Sequence, residues 1–259
     1  MRTALTISGS DSSGGGGIQA DLRTFMAFGV NGVSAITAIT AQNSRGVAAL
    51  EPLSADLVTA QIEAVSGDLE IHATKIGMLA TSAIVEAVAA AIEEIDLPLV
   101  VLDPVLASTS GHRLIDADGV QMLLTELLPR VFVVTPNVPE AEALSGRRIS
   151  SDEDMREAAR RLHDMGPGAV IIKGGHRRPS GGNETAAMVA DLLFDGRSFR
   201  ELRTPRVDQP SSLRGTGCAF ASAVAACLAL GDELPDAAAR AQRHVASLLA
   251  ASTRTYTET

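Results

Sequence analysis

Short apolar runs alternate with amphipathic stretches almost from one end of the chain to the other. ALTIS (4–8), GVSAITAIT (32–40), HATKI (72–76), LVVL (99–102), VFVV (131–134) and AVIIK (169–173) have the length and apolar character of buried strands. Between the first two, Ile18 to Phe28 repeats apolar side chains at 18, 22, 25 and 26 and stops at Gly29, the pattern of a helix closed by glycine. Ser54 and Ser82 stand where helix N-caps are wanted, and further helices are predicted over 116–128, 138–145 and 152–165.

The last third changes pattern. AAMVADLLFDGRSFRELRT sets Asp195-Gly196 between two strand-like runs, which predicts a hairpin, and two helices should follow over 215–230 and 235–253 to cover one face of the sheet. The segment 176–185 (HRRPSGGNET) is rich in Gly, Pro and charge and reads as a surface loop. With no repeat or long linker, this order predicts one α/β domain over 1–259, built on an open, mostly parallel sheet and not a closed barrel.

Composition narrows the picture. Apolar residues make up 46% of the 259 positions and aromatics only 3%, so Ala, Val, Leu and Ile must fill the core, as suits parallel strands covered by helices. Thirty-one acidic residues against 22 Lys and Arg leave a net charge of −9, which argues against nucleic acid or an anionic membrane as partner; any anion needs a local site. The opening MRTALTISGS has too short an apolar run for a signal peptide, so a cytoplasmic protein is expected. Cys218 and Cys227, nine positions apart on one predicted helix, would face opposite ways and remain free thiols.

Open α/β sheets bind ligands beyond the carboxyl ends of their strands. Six polar clusters fall there: SGSDSSGGGG, AQNSRG, KIGML, DPVLASTSG, TPNVPEAE and KGGH. The glycine run lacks the Lys and Ser/Thr of a phosphate-binding P-loop. Gly15, Gly17 and Ala20 match a dinucleotide pattern, but Thr40-Ala-Gln42 stands where that pattern needs a ribose-binding acid. Asp21, beside the apolar stripe of its helix, either complements the helix end or accepts hydrogen bonds from a polar ligand. Gln42 offers a donor and an acceptor to a heterocyclic edge, or is a plain surface amide. Asn137 and Glu140 form N-x-x-E at a helix entry, which serves as a cap or as a water-mediated magnesium contact. Lys173, closing an apolar strand before Gly-Gly, is placed to meet a phosphate.

Gly215-Thr216-Gly217 precedes an Ala-rich helix, so its backbone N–H groups should make a nest for an anion with Cys218 standing in it. The positive helix end is expected to lower the thiol pKa and make Cys218 a proton acceptor near neutral pH. Cys227, within VAACLAL, reads as a small buried hydrophobe.

LTISGSDSSGGGGIQADLRTF, AITAQNSRGV, TKIGML, LDPV, TPNVPEAE, IIKGGH and RGTGC stand in order along nearly the whole chain, and together they resemble the ribokinase-like superfamily. Within it the chain resembles the hydroxymethylpyrimidine/phosphomethylpyrimidine kinases of thiamine synthesis. The resemblance implies a three-layer α/β/α sandwich and phosphorylation of 4-amino-5-hydroxymethyl-2-methylpyrimidine, then of its monophosphate, by ATP with Mg²⁺. It implies that Gly9, Asp21, Thr40, Gln42, Met78 and Val105 surround the pyrimidine, with Cys218 at the hydroxymethyl group. Gly215, Thr216, Gly217 and Cys218 would form the anion hole, Lys173 and Arg214 would meet phosphates, and Asp103, Asn137 and Glu140 would organise the metal. A homodimer is also expected.

The chain departs from the family pattern at Thr40, Thr109, His112, Arg214 and Ala219. Thr109 replaces a usual Lys and so removes a charge, which Arg113 or Arg214 could restore. Two alternatives stand beside the kinase reading: a pyridoxal or pyridoxine kinase of the same family, and a non-catalytic pyrimidine or nucleotide sensor.

Overall fold

The computed structural model describes residues 1–43, 45–108, 111–174, 188–206 and 214–255. Within its sheet, β1 (Thr3–Asp11) is buried along almost its whole length. It pairs in parallel with β2 (Asn31–Asn43) on one side and β4 (Ala73–Ile76) on the other. The parallel series continues through β5 (Val100–Leu102), β6 (Val133–Val134) and β7 (Ala169–Ile172). Antiparallel strands finish both edges: β3 (Gly46–Pro52) beside β2, and the hairpin β8 (Met188–Phe194) and β9 (Phe199–Pro205) beside β7. The sheet is open, in the order β3-β2-β1-β4-β5-β6-β7-β8-β9.

Side-chain alternation divides the core between two faces of this sheet. Leu102, Val134 and Val170 point to one face. There they pack with α2 (Ala55–Asp68), α3 (Ser82–Glu94), α5 (Val138–Ser145) and α6 (Asp152–Asp164) through Ile62, Val88, Ala141 and Leu162. Their neighbours Val101, Val133 and Ala169 point the other way, towards α1 (Gly17–Ala27), α7 (Thr216–Ala229) and α8 (Leu234–Thr255) through Phe25, Val224 and Ala238. Helix α7 is buried from Ala219 to Ala229, and its small Ala side chains let it lie close on the sheet. The result is the expected three-layer sandwich.

Several elements differ from the sequence expectation. Ser54 does cap α2, accepting from the Leu57 N–H, but the cap of α3 is Thr81, with Ser82 already inside the helix. The helix expected over 116–128 is α4 (Ala117–Met122), followed by a π turn (Leu123–Leu127) and a 3₁₀ turn (Leu128–Arg130). Pro129 explains the change, because it has no N–H to donate and its ring crowds the preceding turn. Strand β3 was not expected, since an Ala-rich edge strand with one solvated side lacks the alternation that marks its neighbours. The loop predicted over 176–185 lies outside the described residues. Among the described residues, no helix is long and apolar enough to cross a membrane.

Candidate active site

Because β1, β2, β4, β5, β6 and β7 run the same way, their carboxyl ends open along one edge of the sheet. Against that edge lies the first turn of α7, and between them is a cleft. Gly9, Thr40, Gln42, Met78, Val105 and Cys218 all line it. The space where a Cβ of Gly9 would stand is filled by the terminal methyl of Met78, so a larger residue there would push the Met78 side chain aside. Thr40 Oγ1 donates to the Ser10 carbonyl at 3.0 Å, joining the ends of β1 and β2. The Gln42 amide is loosely held, Oε1 accepting from Thr40 and Nε2 donating to Asp11 at 3.4 Å each, and so remains free to turn to a ligand.

Asp11, unmarked in the sequence reading, organises the glycine loop. One carboxylate oxygen accepts from Ser13 N and Oγ at 2.9 and 2.7 Å, and the other from Gly16 N at 2.8 Å. An Asp followed by Ser-Ser-Gly is a turn signal that could have revealed it.

Asp21 requires a correction. It does face inwards from α1, but it is fully buried and does not line the cleft. Its two oxygens accept from Thr6 Oγ1 (2.6 Å), Lys75 Nζ (2.8 Å) and Ser222 Oγ (2.7 Å), so the carboxylate serves the protein and not a ligand. Burial, the largest influence on Lys75, disfavours its ammonium, but Asp21, with Cys218 and Asp103, holds its pKa above the ordinary value.

Gly215 caps α7 in the left-handed conformation, φ 77°, and a Cβ there would overlap the Gly15 carbonyl oxygen. No side chain caps this helix end, so its leading N–H groups keep their anion-binding capacity. Lys173 Nζ lies 3.3 Å from where a Cβ of Gly217 would stand and is not in the cleft lining. Thr216 and Gly217 are in the first turn but not in the lining.

Cys218 is partly exposed in the cleft, and Cys227 is buried; both are free. The expected thiolate is not found. Burial pushes the Cys218 thiol up to about 12, and Asp103 and Asp21 add to the rise against the opposing pull of Lys75 and the Gly17 N–H. At neutral pH the group is a thiol.

Behind the helix end, Lys173 Nζ and Asp103 pair at 2.8 Å. Burial works against the Lys173 ammonium, but Asp103 and Glu140 hold its pKa above the usual lysine value. Asn137 and Lys173 are bridge partners at the ends of β6 and β7. Asn137 and Glu140 close a capping box, each side chain accepting from the other's backbone N–H at 2.9 and 2.8 Å. Burial pushes Glu140 up to about 7 against the attraction of Lys173.

Asp103, buried, and Glu140, half-buried, therefore offer two carboxylates beside one cation, a donor set that fits a metal held through one or two carboxylates and substrate phosphates. Among the described residues, no three acidic, His or Cys side chains gather as a closed metal cage. Arg214 lines the cleft with its side chain 14% exposed, whereas Arg113 is exposed outside it. Thr109 lies outside the described residues.

Comparison with known proteins places this geometry among kinases. The sequence family described as phosphomethylpyrimidine kinase matches residues 11–258. The chain is 44% identical over 252 residues to the hydroxymethylpyrimidine/phosphomethylpyrimidine kinase of Rhizobium meliloti, covering 97% of this chain and 91% of the relative. It is also 44% identical over 247 residues to the thiamine biosynthesis bifunctional protein ThiED of Geobacter sulfurreducens, which covers 95% of this chain but only 49% of that longer protein. Among solved structures, the phosphomethylpyrimidine kinase of Clostridium difficile superposes with a TM-score of 0.82 at 36% identity, covering 96% of this chain and 99% of that one. An ADP complex of Bacillus subtilis pyridoxal kinase gives 0.83 at 38% identity, covering 94% and 89%.

Proposed function

The chain belongs to the phosphomethylpyrimidine kinase family, and from that premise we propose that it phosphorylates 4-amino-5-hydroxymethyl-2-methylpyrimidine and then the resulting monophosphate. The observation that carries the reading is the meeting of a ring-sized cleft, holding Gly9, Gln42 and Met78, with the uncapped amino end of α7. In this reading the Gln42 amide fixes the edge of the ring and the aliphatic and thioether walls exclude water. Phosphoryl transfer asks mainly for positioning and charge neutralisation, which the α7 N–H groups and Lys173 would supply. Asp103 and Glu140 would hold the divalent metal, proposed to be Mg²⁺, which lends charge neutralisation to the phosphates when bound. Cys218, protonated at neutral pH, fits a wall of the acceptor site better than a base already poised there.

The pyridoxal alternative has less support, since the curated relatives described above carry the pyrimidine name. Those relatives are named as enzymes, which leaves the sensor reading without support. The reading includes a cytoplasmic location and a homodimer. For the latter, the exposed pair Ala41 and Ala49, with Ile39 at 52% exposure, gives the β2–β3 ribbon an apolar surface. ADP release against a panel of pyrimidine and pyridoxine alcohols tests the assignment. Turnover of the aminopyrimidine alcohol is expected, and its absence alongside turnover of pyridoxine would replace the reading with the alternative.

A further inference from the structure

We infer that Arg214 selects the phosphorylated acceptor, binding the phosphate already on the ring substrate and not the phosphates of ATP; this rests on the two-step reading above. Asp11 and Arg214 are the charged side chains among the described residues that line the cleft. They are not equivalent. Asp11 is saturated by the glycine loop, with three hydrogen bonds from Ser13 and Gly16 at 2.7–2.9 Å. Arg214 makes one, from Nη2 to Ser13 Oγ at 3.0 Å, and the same nitrogen stands 3.8 Å from Asp11, too far for a hydrogen bond. A guanidinium has five N–H donors in a planar fork suited to phosphate oxygens. Most of this fork is thus without a partner among the described residues, at the wall of a cleft that, apart from the Asp11 carboxylate held by the glycine loop, presents hydroxyl, amide, thiol and apolar groups.

Position assigns the ligand. Two cationic groups stand at different places by the start of α7: Arg214 immediately precedes Gly215 and lines the cleft with Gln42 and Cys218, whereas Lys173 stands beside Gly217 with Asp103 and is not in the lining. An acceptor whose ring lies against Met78 and Gln42 would carry its exocyclic group towards Cys218 and the amino end of α7, within the ground that Arg214 borders. A phosphate there, with about 1.5–2 negative charges at neutral pH, gains a second donor set beyond the helix end. A neutral hydroxymethyl group has no use for that charge. Arg214 therefore should distinguish the second acceptor from the first, and Lys173 should serve the nucleotide.

Initial rates of wild type, Arg214→Ala and Arg214→Lys with the alcohol and with its monophosphate, each at saturating ATP, test this, together with ATP titrations at saturating acceptor. Arg214→Ala should raise KM for the monophosphate ~10–100-fold. KM for the alcohol and for ATP should stay within about twofold, and Arg214→Lys should recover part of the loss. Equal changes with both acceptors, a change confined to ATP, or a wild-type enzyme that accepts the alcohol but not the monophosphate would each overturn the inference. A wild type that accepts neither would instead sink the two-step reading itself.

Discussion

The ammonium of Lys75 lies 2.8 Å from the carboxylate of Asp21, and neither side chain has any surface open to solvent. Through Thr6 and Ser222 the same carboxylate joins β1 and α7, so one buried group fixes the helix that carries Cys218 against the strand that ends at Asp11. Removing one partner leaves an unpaired buried charge, and Asp21→Leu or Lys75→Met alone should cost about 3–5 kcal/mol. The double variant removes both charges and leaves the Thr6 and Ser222 hydroxyls to find other partners, at about 1 kcal/mol each. It should therefore be more stable than either single variant, as urea unfolding will report. A double variant less stable than both would show that the carboxylate's hydrogen bonds outweigh the ion pair.

Gln42 offers an amide that the protein holds only at 3.4 Å on either side. If it reads the aminopyrimidine edge, Gln42→Leu leaves ligand groups unpaired and should lower kcat/KM by the equivalent of about 1–3 kcal/mol. Unchanged turnover in a folded Gln42→Leu protein removes it from the ring site.

Lys173 provides the cation behind the amino end of α7, and no other Lys or Arg is paired with Asp103 among the described residues. Lys173→Ala should reduce kcat/KM for ATP by ~10² or more, since under the proposed function it removes charge beside the transferring phosphoryl group. Wild-type ATP kinetics in that variant would move the nucleotide elsewhere.

The thiol of Cys218 gives a pH test. An ordinary thiol pKa of 9.0 raised to about 12 means that the protonated form persists throughout the neutral range. Below pH 9 this leaves ~10³-fold less thiolate than an unperturbed cysteine would have. Iodoacetamide should therefore label Cys218 slowly at pH 7–8, with the rate climbing steadily as pH rises, as peptide mass spectrometry can follow. Fast labelling at pH 7 that levels off would restore the expected low-pKa thiolate and the proton-acceptor role with it.

Much of the architecture was legible because the parallel strands are buried on both sides and carry uninterrupted apolar runs. ALTIS and AVIIK announce themselves in this way, whereas β3, Ala-rich and half solvated, does not. Gln42 was legible through its placement at a strand end, whereas Gly9, Thr40, Met78 and Val105 came only from the family resemblance; all five line one cleft. Asp21 was misread for a physical reason: helical periodicity shows that a side chain points inwards but not what meets it there. Its partners Lys75 and Ser222 lie 54 and 201 positions away. Cys218 was misread because a helix end favours the thiolate, while the desolvation that outweighs it depends on the packing of distant segments.

The contact between Gly215 and the Gly15 carbonyl also bears on how the protein comes into being. The cleft draws one side from Ser8–Gly17 and the other from Arg214–Cys218, about 200 positions further along, so a nascent chain can lay down β1 and β2 long before the cleft is complete. Binding competence should arrive abruptly, once α7 emerges and closes against the glycine loop. Ligand can then steady the finished enzyme but cannot guide the early steps of its assembly.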